Sequence, residues 1–339
     1  MKKFLATFSI LIVLSSCASP VNLGKKSEEK AVERNVLTNL PGVNGPVLAV
    51  KVDDTSQAHP QVGLSKADVV YIEQVEGGLT RLAAIFTNQI PALIGPVRSA
   101  RISDIEILAQ YGRVGFAYSG AQSKMRPVLA AANLVNISAE INPPSIYQTD
   151  KTRFAPTNMM LDADALLKKT IDQEGKEIDS VRSVGWQFGK IAKDAKKVLT
   201  ASVKWPASRY ELSWSKTEKR WLFTYNGKPN LDSDGRQLGS ANFVIQKVSI
   251  TNSIYHDKVG GITPLSNTVG SGSGYLLRDG KVIAINWQRP SADVGTIWTL
   301  SDGSVANFAD GQVWIALTDN EPLFTYPAPK PSASPTKSK

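Results

Sequence analysis

The sequence predicts an α+β, mixed α/β protein: an N-terminal α/β sheet domain followed by a smaller antiparallel all-β domain. Three observations carry that reading. Apolar runs alternate with helical patterns through residues 40–175. Residues 198–320 instead alternate in twos, are rich in aromatics and are punctuated by Asn-Gly and Asp-Gly pairs. The composition, 42% hydrophobic and 20% charged over 339 residues, is globular and long enough for about two domains.

In the first region, assigned to residues 37–180, the runs 47–52, 69–75, 81–87 and 114–118 read as largely buried strands rich in Val, Ile and aromatics. Helices are expected at 104–111, 124–134 and 161–171. The first carries the spacing of a capping box, Ser103-x-x-Glu106, with Ile105, Leu108 and Ala109 on one face. Pro127 falls in the first turn of the second, where its missing N–H is tolerated. Residues 176–197, rich in Lys, Asp and Gly, read as a surface connection. In the second region, assigned to 198–322, the runs 210–214, 221–225 and 313–317 read as strands. Asn226-Gly227, Asp279-Gly280, Asp302-Gly303 and Asp310-Gly311 supply the positive φ of tight turns. Gly270-Ser271-Gly272-Ser273-Gly274 lacks the spacing of a dinucleotide fingerprint and reads as a flexible loop. The seven tryptophans fall mostly on alternating strand positions, which suits core packing.

The ends of the chain differ from its middle. Lys2 and Lys3 precede an apolar segment, residues 4–14, of secretory-signal length and too short to span a bilayer. It ends in Leu14-Ser15-Ser16-Cys17, which resembles the lipobox of bacterial lipoproteins. That resemblance implies cleavage after residue 16 and lipidation of Cys17, the single cysteine, tethering the chain to the bilayer outside the cytoplasm. Residues 18–36 are polar and charge-mixed and read as a tether; residues 327–339, rich in Pro, Ser and Lys, read as a disordered basic tail. The net charge of +9 is mostly terminal. Two lysines in the leader, three in the tail and an excess of one in the tether leave +3 for residues 37–326. That value gives no case for a nucleic-acid protein. One cysteine excludes a disulfide framework, and two histidines argue against a multi-histidine metal centre. No cofactor is indicated, and the oligomeric state is not set by the sequence.

The most informative stretch is Ile94-Gly95-Pro96-Val97-Arg98-Ser99-Ala100-Arg101, running into the first helix. Two guanidiniums ahead of a helix N-terminus suit phosphate or carboxylate; the alternative is that both arginines pair with nearby acids and brace the sheet. Ser119-Gly120 offers a second strand-to-helix junction of small residues. Acidic groups gather at other strand ends, with Asp53 and Asp54 after the first and Glu73 and Glu76 on and after the second. Arg81 opens the third. Parallel neighbouring strands would bring all of them to one crevice, whereas a hairpin at Gly77-Gly78 would make the second and third antiparallel. Calcium or magnesium on these carboxylates is the weaker reading, so no metal is assigned. His59 and His256 read as ordinary polar histidines, and Asp232-Ser233-Asp234-Gly235 as a turn.

The strings Val52-Asp53-Asp54, His59-Pro60-Gln61-x-Gly63-Leu64, Glu76-Gly77-Gly78-x-Thr80-Arg81 and Gly95-Pro96-Val97-Arg98-Ser99-Ala100-Arg101 resemble the YerB-type lipoproteins, a domain-of-unknown-function family. So does Arg153-Phe154-Ala155-Pro156-x-Asn158, and the resemblance spans roughly residues 36–320. It implies an N-terminal mixed domain, a smaller C-terminal β domain and a lipid anchor, without an established activity. Arg153 and Asn158 join the candidate ligand-binding residues through it. Where the family usually reads Ala-Pro-His-Asn this chain has Thr157, so a role for imidazole there is not carried over.

Two readings of function follow. In the first, the chain binds an anionic small molecule or envelope polymer through Arg81, Arg98, Ser99, Arg101, Ser119, Gly120, Arg153 and Asn158. In the alternative it is an envelope hydrolase of phosphodiester or glycosidic bonds, with Asp53, Glu73 or Glu76 as general base, or else an interaction scaffold with structural arginines.

Overall fold

The structure, a computed structural model, describes residues 32–328. Cys17 with its leader, most of the tether and the tail from residue 329 lie outside the described residues. The first half gives five strands to the large sheet: β1 (Leu48–Asp53), β2 (Val69–Gln74), β3 (Thr80–Phe86), β4 (Val114–Ala117) and β5 (Leu134–Asn136). All of β1 and β3 is buried, as befits strands covered on both faces. Helix α1 (Ile102–Ala109) lies between β3 and β4 in sequence, and α2 (Arg126–Ala131) follows β4. β2 and β3 are antiparallel, because Gly77 and Gly78, at φ 67° and 70°, turn the chain back on itself. The parallel arrangement of these two strands is therefore excluded. β1 runs parallel to β4, and β4 to β5.

The second half is wholly β among the described residues but is neither all antiparallel nor a separate sheet. Its longer strands are β6 (Thr200–Lys204), β7 (Arg209–Ser215), β8 (Arg220–Tyr225), β9 (Asn242–Lys247), β10 (Ile250–His256), β11 (Ile262–Ser266), β12 (Gly270–Arg278), β13 (Lys281–Arg289), β14 (Ile297–Thr299), β15 (Val313–Thr318) and β16 (Leu323–Thr325). β15 is inserted between β9 and β2 and is parallel to both, with Asn242↔Val313 and Val69↔Val313 in register. One sheet results, in the order β14-β13-β12-β9-β15-β2-β3-β1-β4-β5, to which Lys196–Lys197 adds a short edge on β13. The two sequence domains thus share a hydrogen-bonded sheet in a mostly β fold with few helices.

A second sheet, built on β8-β7-β6-β16, packs over one face of the first. β8 alternates strictly in burial and turns Trp221, Phe223 and Tyr225 inward. Phe223 meets Trp314 of β15 and Phe243 of β9 edge-on, with ring centroids 4.7 and 5.4 Å apart. The other face of the large sheet receives α1 through Ile107 and Leu108, and α2 through Leu129. Six of the seven tryptophans are buried, in keeping with a core role.

Several local expectations change. The cap of α1 is made by Asp104, whose carboxylate accepts the Arg101 N–H at 2.6 Å. Ser103 and Glu106 are drawn elsewhere, accepting from Ser266 N–H and from the N–H groups of Thr268 and Val269. The expected helix at 124–134 shortens to α2 because Leu134 enters β5. The one at 161–171 begins only after a strand, Met159–Asp162, and is capped by Asp162, which accepts Ala165 N–H at 2.9 Å. Gly270–Gly274 is the start of β12, not a loop. A Cβ on Gly272 would lie 2.6 Å from Trp287 Nε1, and one on Gly274 2.3 Å from Ile245 O, so these glycines permit close strand approach. Residues 176–197 do more than connect: Trp186 is buried and stacks on Phe308 at 5.1 Å. The turns Asn226-Gly227 and Asp279-Gly280 do close hairpins, each with both residues at positive φ.

A sheet shared by both halves should unfold as one unit. Urea denaturation followed by tryptophan fluorescence and by far-UV circular dichroism is expected to give one coincident transition. Trp314→Ala should lower its free energy by about 3–5 kcal/mol. Two separated transitions would contradict the shared sheet.

Candidate functional site

Most of the candidate residues converge at one end of the large sheet, where β1, β2 and β4 finish and antiparallel β3 begins. Register sets Asp53 and Glu73 on either side of Arg81, on the face that α1 covers. Lys51, two residues before Asp53, points the same way. The 95–101 string is laid across this end in extended form. Asp53 N–H donates to Pro96 O (2.8 Å) and Arg98 N–H to Lys51 O (2.8 Å). On its other side Ser119 N–H donates to Arg98 O (2.9 Å) and Ala100 N–H to Gly120 O (3.0 Å). Gly95 lets the string pass Met160, whose Sδ would be 2.5 Å from a Cβ there.

Two of the three arginines find carboxylates. Arg98 Nε lies 2.5 Å from Asp53 Oδ2. Arg101 donates through Nε (2.9 Å) and Nη2 (2.7 Å) to Glu76 Oε2 and through Nη1 to Ala100 O (2.9 Å). Thr263 of β11 donates to the other Glu76 oxygen. Burial alone would raise the Glu76 carboxyl; Arg101 outweighs it and holds the group below the usual carboxylate range. Arg81 is different. It is only 8% exposed, donates from Nη1 to Ser99 O at 2.9 Å, and has no carboxylate within ion-pair distance among the described residues. Burial, then Arg101 and Arg98, press its pKa down to about 9, against the weaker pull of Asp53 and Glu76. Ser99 and Ser119 hydroxyls face each other at 3.4 Å beside it, and Gly120 faces Glu140.

Beneath the arginines lies a buried set of charges of which the sequence analysis singled out Glu73 but not Lys51. Lys51 Nζ contacts Glu73 Oε1 and sits 2.7 Å from Asp104 Oδ1, all three side chains being fully buried. Burial and the neighbouring Asp104 charge outweigh Lys51, so the Glu73 carboxyl is pushed up to about 7. The signal available in the sequence was the lysine itself, standing inside the otherwise apolar LAVKVD.

Asp54, one residue further on, faces the second sheet. It accepts from Thr80 Oγ1 (2.6 Å), Tyr210 OH (2.8 Å) and Gln61 Nε2 (3.1 Å). His59 lies between Asp54 and Asn230, stacks on Tyr225 at 4.4 Å, and so ties the halves together. His256 sits on β10, exposed. Arg153 and Asn158 are not part of the arginine cluster. Arg153 donates to Ala58 O (2.9 Å), Pro60 O (2.5 Å) and Asp150 Oδ2 (3.1 Å), fastening the loop before Gln61. Asn158 closes the 150–158 turn through its carbonyl, which accepts Asp150 N–H at 2.8 Å. A 570 Å³ depression floored by Leu276, Ile283 and Leu300 and a 530 Å³ one along residues 171–180 contain none of the candidate residues.

The N-terminal domain model of DUF3048, a family of unknown function, matches residues 37–177, and the DUF3048 C-terminal domain model matches residues 201–315. The chain belongs to the DUF3048 family. It is 27% identical over 298 residues, covering 86% of this chain and 83% of the other, to the Bacillus subtilis (strain 168) protein described as "Putative lipoprotein YerB". The crystal structure of YerB from Bacillus subtilis has the same fold, with a TM-score of 0.72 and 23% identity, covering 85% of this chain and 97% of that one.

Glu73 makes stability depend on pH in a definite direction. A carboxyl raised in the folded state contributes stability that is present below its unfolded value of 4.5 and is lost as pH rises through about 7. Urea midpoints measured from pH 5 to 8 should therefore fall for the native chain relative to Glu73→Gln. Parallel profiles would show that Glu73 is not raised.

Proposed function

We propose that this is a membrane-anchored extracytoplasmic lipoprotein that binds an anionic group, of a small molecule or an envelope polymer, at the Arg81–Arg98 edge. The observation that carries the reading is Arg81, a buried guanidinium with one backbone acceptor, held beside two other guanidiniums. An oxyanion placed there would gain charge-assisted hydrogen bonds and relieve that crowding. Arg98, with a side chain 20% exposed, opens the site to solvent, and the Ser99 and Ser119 hydroxyls supply neutral donors at its rim. Arg101 serves as the brace, since Glu76 and backbone carbonyls occupy its guanidinium. The carboxylates favour binding over hydrolysis: Asp53, Glu73 and Glu76 are buried against Arg98, Lys51 and Arg101 and so are poorly placed to activate water. Anchoring would come from Cys17, in line with the lipoprotein description of the relative.

Titration calorimetry and thermal shift with inorganic phosphate and acidic glycan fragments test the site. A bound anion at a hundredfold excess over its dissociation constant should stabilise the native chain by about 2.7 kcal/mol. Arg98→Ala, checked for folding by circular dichroism because it leaves Asp53 unpaired, should remove that response. An undiminished response in the variant, or no response to any anion in the native chain, would refute the site. For the anchor, Cys17→Ser should abolish incorporation of labelled palmitate and release the chain from the membrane fraction.

A further inference from the structure

Lys51, Glu73 and Asp104 form a buried trio that anion binding does not use. Lys51 is the buried lysine among the described residues, and its side chain, like those of Glu73 and Asp104, is 0% exposed. Its Nζ contacts Glu73 Oε1 and lies 2.7 Å from Asp104 Oδ1. Asp104 Oδ2 is turned away and accepts the Arg101 backbone N–H at 2.6 Å. Glu73 Oε2 is buried without a hydrogen-bond partner among the described residues. One amine thus faces two carboxyls out of reach of water, and the fully ionised trio would hold an unbalanced buried charge. The next cation, Arg101, is already committed to Glu76.

We propose that Lys51 and Asp104 are joined by an intramolecular isopeptide bond, with Glu73 as the proton carrier, tying β1 covalently to α1. The reaction starts from the lysine ammonium, the aspartate carboxylate and a protonated Glu73. One ammonium proton moves across the 2.7 Å contact to Asp104 Oδ1 and frees the Nζ lone pair. Nζ attacks Cγ, a C–N bond forms, and the carbonyl electrons move onto Oδ2. The Arg101 N–H stabilises the charge developing on that oxygen. A second proton passes from nitrogen through Glu73 to Oδ1, the Cγ–Oδ1 bond breaks, and water leaves. Amine and carboxylic acid become amide and water, with no oxidant, reductant or further reactant, and Glu73 ends protonated as it began. The product removes the charge imbalance, since neither linked residue remains ionised. A Glu73 carboxyl raised by burial and by Asp104 is suited to carrying a proton near neutrality.

Peptide mapping by mass spectrometry of the full chain, digested with trypsin after denaturation, decides the matter. Trypsin does not cleave after an acylated lysine. The native digest is therefore expected to contain residues 35–66 joined to residues 102–113, lighter than the two peptides together by one water. Recovery of residues 35–51 and 102–113 only as separate linear peptides would overturn the bond. Glu73→Gln, checked for folding by circular dichroism, should give the separate peptides. Wild-type yield of the linked peptide in that variant would overturn the part given to Glu73. Lys51→Arg supplies the unlinked standard, and the native map decides the bond even if a variant fails to fold.

Discussion

Charge at the end of a sheet buried on both faces has to be compensated from within the protein, and the placement of every nearby element follows from that. β1 carries Lys51 and Asp53 on its α1 face and is buried along its whole length. Lys51 is met by Asp104 from α1 and Glu73 from β2; Asp53 is met by Arg98 from the 95–101 string. A slip of β1 by one residue would turn Lys51 and Asp53 toward the second sheet, among Tyr210, Phe223 and Trp314. Buried ion pairs are weak sources of net stability, whereas losing one partner costs about 3–5 kcal/mol. The network therefore acts chiefly on register and on the seat of α1.

The same end of the sheet holds the two halves together. Asp54 follows Asp53, so it faces the opposite side and meets Tyr210, which lies 156 residues away in β7. β15 supplies the backbone counterpart, pairing with β9 of its own half and with β2 of the other. Two sequence domains joined by a continuous ladder and by aromatic packing of Phe223 on Trp314 have no interface along which to part.

What the sequence shows of this depends on whether the deciding partner is local. β1, β2 and β3 are legible from their apolar runs, and the Asn226-Gly227 and Asp279-Gly280 hairpins from turns that demand positive φ. The shared sheet is not legible, because the run 313–317 reads the same in a sandwich strand as in a central parallel one. Ser103-x-x-Glu106 misleads for a similar reason: residues 266–269 claim both side chains and leave the cap to Asp104. At the site, the structure brings Arg81, Arg98 and Arg101 together and leaves Arg153 and Asn158, which the family resemblance had added, apart from them. Arg153 has its acceptors in the 58–60 loop, a contact that no local pattern reveals.

The three arginines look alike in sequence and differ in the number of acceptors each is given. Arg101 is saturated by Glu76 and the backbone, so it can only brace. Arg81 has a single carbonyl, and Arg98 spends Nε against Asp53 while keeping its outer end toward solvent. A guanidinium in low dielectric without a counter-charge is costly, and it persists where the surrounding structure leaves it no other rotamer or where an anion completes it. Here Ser99 ties both possibilities to one segment, since its carbonyl holds Arg81 and its hydroxyl stands at the rim with Ser119. That segment is set in turn by Arg98 N–H on Lys51 O and by Arg101 N–H on Asp104. The geometry offered to an anion at the surface is thus fixed by the buried lysine and aspartate beneath it.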